Sequence, residues 1–334
     1  MKLKYLFAWL LILVMCFALV ACDVSVNPPS ATDVPSPDVV TPSPTDIPKV
    51  GSATPLLYKV TDDQGNVTWL FGSIHIGRED YYELPDYVLN AFNDSDSLAV
   101  EADIVAFETD MAQQTEALSC LIYTDGTNIK DHISNELYNE AVGVLIALNS
   151  YMTMLDSYCP MFWSSMIESL MLGEDIGMPE LGVDRHLLNR AKAAGKEVLE
   201  VESAKFQYKM MAEFSDELQA MMLAQSIYSY RNREEYKSDM VELMDLWASG
   251  NEEAFEAYMQ SDTSDMTDTE RALYDEYYKA MFTDRNRFMA DYAEAALRSG
   301  RKIFICVGAA HIVGEGAVAQ ILAQRGYTVE CITK

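Results

Sequence analysis

Only four histidines occur in the 334 residues, at His75, His132, His186 and His311, and two of them share one short context. Gly72-Ser73-Ile74-His75 follows the apolar run Thr68-Trp69-Leu70-Phe71, and Gly308-Ala309-Ala310-His311 follows the run Ile303 to Val307. In an open parallel sheet, ligands gather beyond the carboxyl ends of the strands, so both imidazoles are expected at one such edge. The glycines after them, Gly77, Gly314 and Gly316, would let backbone approach a ligand closely. Glu101 ends a third apolar run, Leu98-Ala99-Val100. Two neutral imidazoles and one carboxylate suit a divalent cation such as Zn, Mn, Fe or Co and leave positions open for water or substrate. Taken singly, each of these residues reads as a satisfied core or capping residue. Taken as a set, in a chain so poor in histidine, they read as a metal centre.

Further residues could support that centre. Glu202 closes the strand-like run Glu197 to Val201 and could orient a ligand, act as a general base, or simply cap a sheet edge. Arg285-Asn286 lies on a long helical pattern, where the guanidinium could meet a substrate carboxylate or an oxyanion, or form a structural ion pair. Asp184-Arg185 reads as a local pair opening a helix, and His132 as a solvated residue at a helix start. Of the six cysteines, none makes a CxxC or Cys/His metal spacing, and no HExxH pattern occurs. Cys120 with Cys159 is a candidate disulfide between neighbouring helices, and Cys306 a buried free thiol in an apolar run.

The elements that must position these groups follow from periodicity. Leu57 to Val60 and Val67 to Phe71 flank Asp62-Asp63-Gln64-Gly65-Asn66, which has the turn chemistry of a hairpin. Pro85-Asp86 starts a short helix through Phe92, and Ser97 to Val100 is a strand. Residues 107–171 are mostly helical, 187–194 form a helix closed by Gly195, and 197–201 a strand. Two long acidic helices, Ser215 to Ser249 and Thr267 to Ser299, fill the next hundred residues, their Met and Tyr residues serving as packing. Lys302 to Val307 is a strand, Gly308 to Gly316 a loop, Ala317 to Gln324 a helix, and Tyr327 to Ile332 a last strand, a candidate right-handed crossover. The expected fold is α/β: a mostly parallel sheet core formed by the N- and C-terminal parts, carrying a large inserted α-helical lobe.

The first residues carry an address. Lys2 and Lys4 precede an apolar stretch from Tyr5 to Leu19, shorter than the ~20 residues of a spanning helix, and Leu19-Val20-Ala21-Cys22 resembles a lipobox. Residues 1–21 are expected to be a lipoprotein signal peptide and Cys22 the acylated mature N-terminus, anchoring the protein to a membrane outside the cytoplasm. Residues 22–55 hold eight of the chain's 11 prolines and read as a disordered stalk; residues 56–334 form one domain. The formal charge of -28 makes nucleic acid an unfavourable partner.

Several segments together resemble the landmarks of the TraB/GumN family, in that family's order. They are Leu70 to Gly77, Leu98 to Glu101, Gly182 to Leu188, Leu199 to Glu202, Asp284-Arg285-Asn286 and Val307 to His311. Ser73 stands where Thr is usual, and His186 where an aromatic or aliphatic residue is typical. The resemblance implies an α/β fold with two GxxH motifs and an acidic residue at the active centre, alongside Tiki-type metal-dependent proteases. It implies His75, Glu101 and His311 as metal and catalytic residues holding Mn, Co or Zn, with a peptide or protein as substrate. The alternative is a surface lipoprotein that binds a metal, haem or peptide without turnover.

Overall fold

The computed structural model describes residues 53–332, apart from 79, 80, 82, 174, 175, 261 and 262. The signal peptide, Cys22 and the stalk up to residue 52 lie outside the described residues. Two strands open the domain, β1 (Leu57–Thr61) and β2 (Val67–Ser73), paired antiparallel as the hairpin the turn residues predict. Asp62 explains the turn: its carboxylate accepts the Gln64 and Asn66 backbone N–H groups at 2.9 and 2.8 Å, and Gly65 takes a φ of 83°.

Four more strands complete a single sheet: β3 (Ser97–Val100), β4 (Glu197–Glu200), β5 (Ile303–Gly308) and β6 (Thr328–Ile332), in the order β4-β3-β5-β2-β1-β6. β4, β3, β5 and β2 run parallel, while β1 is antiparallel to both β2 and β6. β6 thus runs in the same direction as β5 and reaches the far edge by crossing over two intervening strands. Every residue of β3 and β5 is buried, as befits central parallel strands covered on both faces.

Helices are inserted on either side of β4, and here the structure departs from the sequence expectation. The expected helix Ser215 to Ser249 is two helices, Asp216–Arg231 and Arg233–Ser249. They break at Asn232, whose side-chain amide donates to the Tyr228 carbonyl at 2.8 Å and competes with the backbone ladder. Glu252–Met259 forms a further helix after the left-handed Gly250. The expected helix Thr267 to Ser299 begins with a Thr267/Glu270 capping box, but Lys279–Asp284 is π-helical before the α-helix Arg285–Ser299. A π turn holds one extra residue, so it rotates everything after it relative to an ideal helix. Gly308 to Gly316, expected as a loop, contains the short helix Ala309–Ile312.

Packing begins slightly before Leu56. Ala53 is buried and the Thr54 N–H donates to the Ala248 carbonyl at 2.8 Å. Among the described residues no helix is long and apolar enough to cross a membrane. Cys120 and Cys159 are free thiols, so the candidate bridge is not formed; Cys120 Sγ instead lies 3.8 Å from the Glu116 carbonyl, and Cys159 is buried at the start of helix Pro160–Met171. Cys306 is a buried free thiol, as its apolar run predicts.

Candidate active site

Four adjacent strand ends carry the candidate residues. β2 leads to His75, β5 to His311, β3 to Glu101 and β4 to Glu202, so the parallel register brings all four to one edge of the sheet. The two GxxH motifs are interlocked: a Cβ on Gly72 would stand 2.9 Å from the Ala309 Cα, so glycine there is what lets the second motif pack on the first. Gly77 also permits a close approach, but its neighbour is protein, with the Leu181 carbonyl oxygen 2.0 Å from where a Cβ would sit.

Each imidazole is oriented through Nδ1. His75 Nδ1 lies 2.7 Å from Asp184 Oδ2; a carboxylate only accepts, so Nδ1 carries the proton. His311 Nδ1 lies 2.7 Å from Asn286 Oδ1. The Asn286 amide is fixed because its Nδ2 donates to the Gly316 carbonyl at 3.0 Å, so Oδ1 faces the ring and His311 Nδ1 is also the donor. In both rings Nε2 is buried with no hydrogen-bond partner. Two imidazoles tethered at Nδ1 with unpartnered Nε2 atoms form the donor pattern a divalent metal uses, since the tether fixes tautomer and ring orientation.

Glu101 is differently placed. Its Oε1 accepts the Gly308 N–H at 2.7 Å, and its Oε2 accepts Arg285 Nη2 at 2.6 Å and Gln207 Nε2 at 3.1 Å. Arg285, 1% exposed, also binds Glu202 through Nε at 2.9 Å and Nη2 at 2.8 Å. The guanidinium is therefore committed to two carboxylates and not directed at an open substrate position. Among the described residues, no group of three His, Cys, Asp or Glu side chains is arranged to hold a metal ion. His75 and His311 each keep an unpartnered Nε2, whereas both Glu101 oxygens are already hydrogen-bonded.

Electrostatics separate the two rings. Burial pulls His75 down, but the charge and hydrogen bond of Asp184, with Glu101 behind them, lift it to about 8. Burial and the Arg285 charge together push His311 down to about 3. Burial disfavours the Glu101 carboxylate, yet Arg285, then His311, His75 and the Gly308 N–H, hold its carboxyl well below the usual range. These mutual effects put His75, Glu101 and His311 within one electrostatic neighbourhood.

Two expectations are corrected. Asp184 and Arg185 are not a pair with each other: Asp184 holds His75, whereas Arg185 forms a two-pronged ion pair with Glu108. His132 is not a solvated helix-start residue; it ends the short helix Ile129–His132, stacks on Tyr123 with ring centres 4.1 Å apart, and meets Asp216 at 3.0 Å. Gln207 has no place in the sequence reading. It donates to both Glu101 and Glu202, the latter at 2.9 Å, and is buried. Its signal was a glutamine within the otherwise apolar face Ala204, Tyr208 and Met211 of helix Ala204–Ala212.

A family model described as TraB/PrgY/gumN matches residues 56–331. The chain belongs to the TraB/PrgY/gumN family. Two similar proteins agree with that assignment: the uncharacterized protein YbaP of Escherichia coli strain K12 and the YbaP of Shigella flexneri. Each is 27% identical over 256 residues, covering 76% of this chain and 86% of the relative. No solved structure gives a significant match. The TraB/PrgY/gumN match spans β1 to β6, so it includes all four strand-end residues and both tethering residues, Asp184 and Asn286.

Proposed function

We propose that this protein is a metal-dependent hydrolase acting on peptides, carried on the outer face of a membrane by lipid on Cys22. The observation that carries the reading is the pair of buried, unpartnered Nε2 atoms on His75 and His311, each backed by an acceptor at Nδ1. His75 and His311 would hold one divalent cation, Mn, Co or Zn, with Glu101 as a third ligand or as the base. The cation supplies Lewis acidity toward a scissile carbonyl. The protein's own groups do the positioning: Asp184 and Asn286 fix the two rings, and Arg285 with Gln207 holds Glu101 against the end of β5. Glu202 shares those two donors and would tighten the same clamp. For Glu101 to ligate or to take a proton, its contact with Arg285 must loosen.

A second reading has its own support. Both Glu101 oxygens are already engaged, which favours a surface protein that captures a metal or peptide without turnover. One experiment separates these readings from each other and from neither. Metal content of the purified full chain is measured after matched exposure to Mn, Co and Zn, for wild type, His75→Ala and His311→Ala, followed by a peptide-hydrolysis screen. Near-stoichiometric metal lost in both folded variants, with cleavage, supports the hydrolase. Metal without cleavage supports the binding protein, and equal, negligible metal in all three sinks both metal readings.

A further inference from the structure

Beside the histidine pair lies a cavity that the proposed chemistry does not use. Its floor is His75 and the Ala309–Ala310 segment that leads into His311; its roof is Leu243 and Trp247 from helix Arg233–Ser249, and Phe255 and Met259 from helix Glu252–Met259. It holds about 420 Å³ of empty space, but that figure includes open solvent and the enclosed part is small. That is room for one side chain, not for a whole bound molecule. Two ring N–H groups in its lining are already spent, since Trp247 Nε1 donates to the Gly72 carbonyl at 2.8 Å and His75 Nδ1 to Asp184 at 2.7 Å. A polar or charged guest would therefore lose its hydration with little to replace it, whereas an apolar guest gains from burial. Beyond Met259 and Ala310 the lining changes sharply: the neighbouring groove carries Glu256, Gln260 and Glu315.

We infer that this cavity is a specificity pocket that takes one apolar side chain of a peptide, at a residue flanking the bond presented to His75 and His311. The inference deepens the proposed peptide hydrolase and rests on it for the bond. Continuity with the centre argues for this occupant: the wall of the pocket is the same backbone that carries both histidines, so a side chain seated there brings its own main chain to them. Helices Arg233–Ser249 and Glu252–Met259 become the elements that choose the substrate, while the strand ends hold the chemistry.

Two measurements on the purified full chain test this. N-acetyl amides of Leu, Met, Phe, Asp and Lys are titrated by ligand-observed NMR in the presence of EDTA, and a mixed peptide library is incubated with the Mn-loaded chain, with cleavage sites read by mass spectrometry. The variants are Met259→Lys, at the half-buried rim, and Phe255→Ala, which widens the roof. Apolar amides are expected to bind at least roughly tenfold better than Asp or Lys amides. Met259→Lys should erase that preference and Phe255→Ala should shift it toward Phe, with the same changes in the cleavage pattern. Cleavage without apolar preference, or with a preference that both folded variants leave unchanged, overturns the pocket and spares the hydrolase. Apolar binding lost in Met259→Lys without any cleavage keeps the pocket and removes the hydrolase. Equal binding of all five amides overturns the pocket outright.

Discussion

Glu101 and Glu168 are both buried carboxyl groups, one at the strand ends and one in the helical lobe, and their surroundings drive them in opposite directions. Burial penalises both. At Glu101 the Arg285 guanidinium outweighs the penalty and keeps the group ionised. At Glu168 a hydrogen bond from the Ser226 hydroxyl at 2.7 Å is too little to compensate, and burial pushes the carboxyl up to about 8. The lesson is that depth does not decide the charge of a carboxyl group in this fold; a matched cation does. Of these two buried carboxyls, the one beside the histidines is held ionised and the one in the lobe is held protonated at neutral pH.

The strongest way to break this comparison is Arg285→Met, which leaves Glu101 and Glu202 buried without their cation. Loss of stability of about 3–5 kcal/mol is expected in urea unfolding. A loss below about 1 kcal/mol would falsify the description of this site as a tightly paired buried triad.

Next in size is a difference in pH dependence. A carboxyl whose folded pKa is raised holds a proton in the native state that the unfolded chain has released, so Glu168 makes stability fall as pH rises from its ordinary 4.5 to about 8. Glu101 has the opposite sign: its contribution is complete above the ordinary carboxylate pKa and is lost as pH falls below it. Glu168→Gln should therefore flatten the alkaline side of the stability profile, with a gain on the order of 4 kcal/mol at pH 8 and little change near pH 4.5. An unchanged slope would mean that Glu168 is ionised in the folded protein.

Asn286→Ala sharpens the comparison at the histidine pair. It removes the acceptor at His311 Nδ1 and should weaken binding of the proposed divalent metal by about 10- to 100-fold, read by competition with a chelating dye, while leaving Glu168 and its pH slope untouched. The smallest expected effect is that of Ser226→Ala, about 1 kcal/mol, because it deletes one hydrogen bond to a group that is already neutral.

Local pattern made part of this molecule readable in advance. The hairpin, the strands at Ser97 and Ile303, and the placement of His75, Glu101, Glu202 and His311 at strand ends all follow from short apolar runs and their turn residues. What stayed hidden depends on partners far away in the chain. Asp184 meets His75 across 109 residues, and no spacing announces it. Gln207 resembles any polar residue on a helix until Glu101 and Glu202 are placed on either side of it. The π segment that precedes Arg285 and Asn286 has no sequence signature of its own. The break at Asn232 is a choice between two hydrogen bonds for one side chain, which periodicity does not register.

The order of strands also sets a schedule for folding. β5 lies between β3 and β2, and the Thr68 hydroxyl reaches the Ile303 carbonyl across 235 residues of sequence. As the chain emerges from the ribosome, the amino-terminal hairpin and most of the helices are complete before the strand that seats His311 exists. Such distant pairing is slow, because a long loop must close before any contact rewards it. Until β5 enters the sheet, His75 has no opposite number and Glu101 lacks the Gly308 N–H. The centre is thus assembled by the last tenth of the chain, and a polypeptide truncated before that point carries one histidine of the pair and no second.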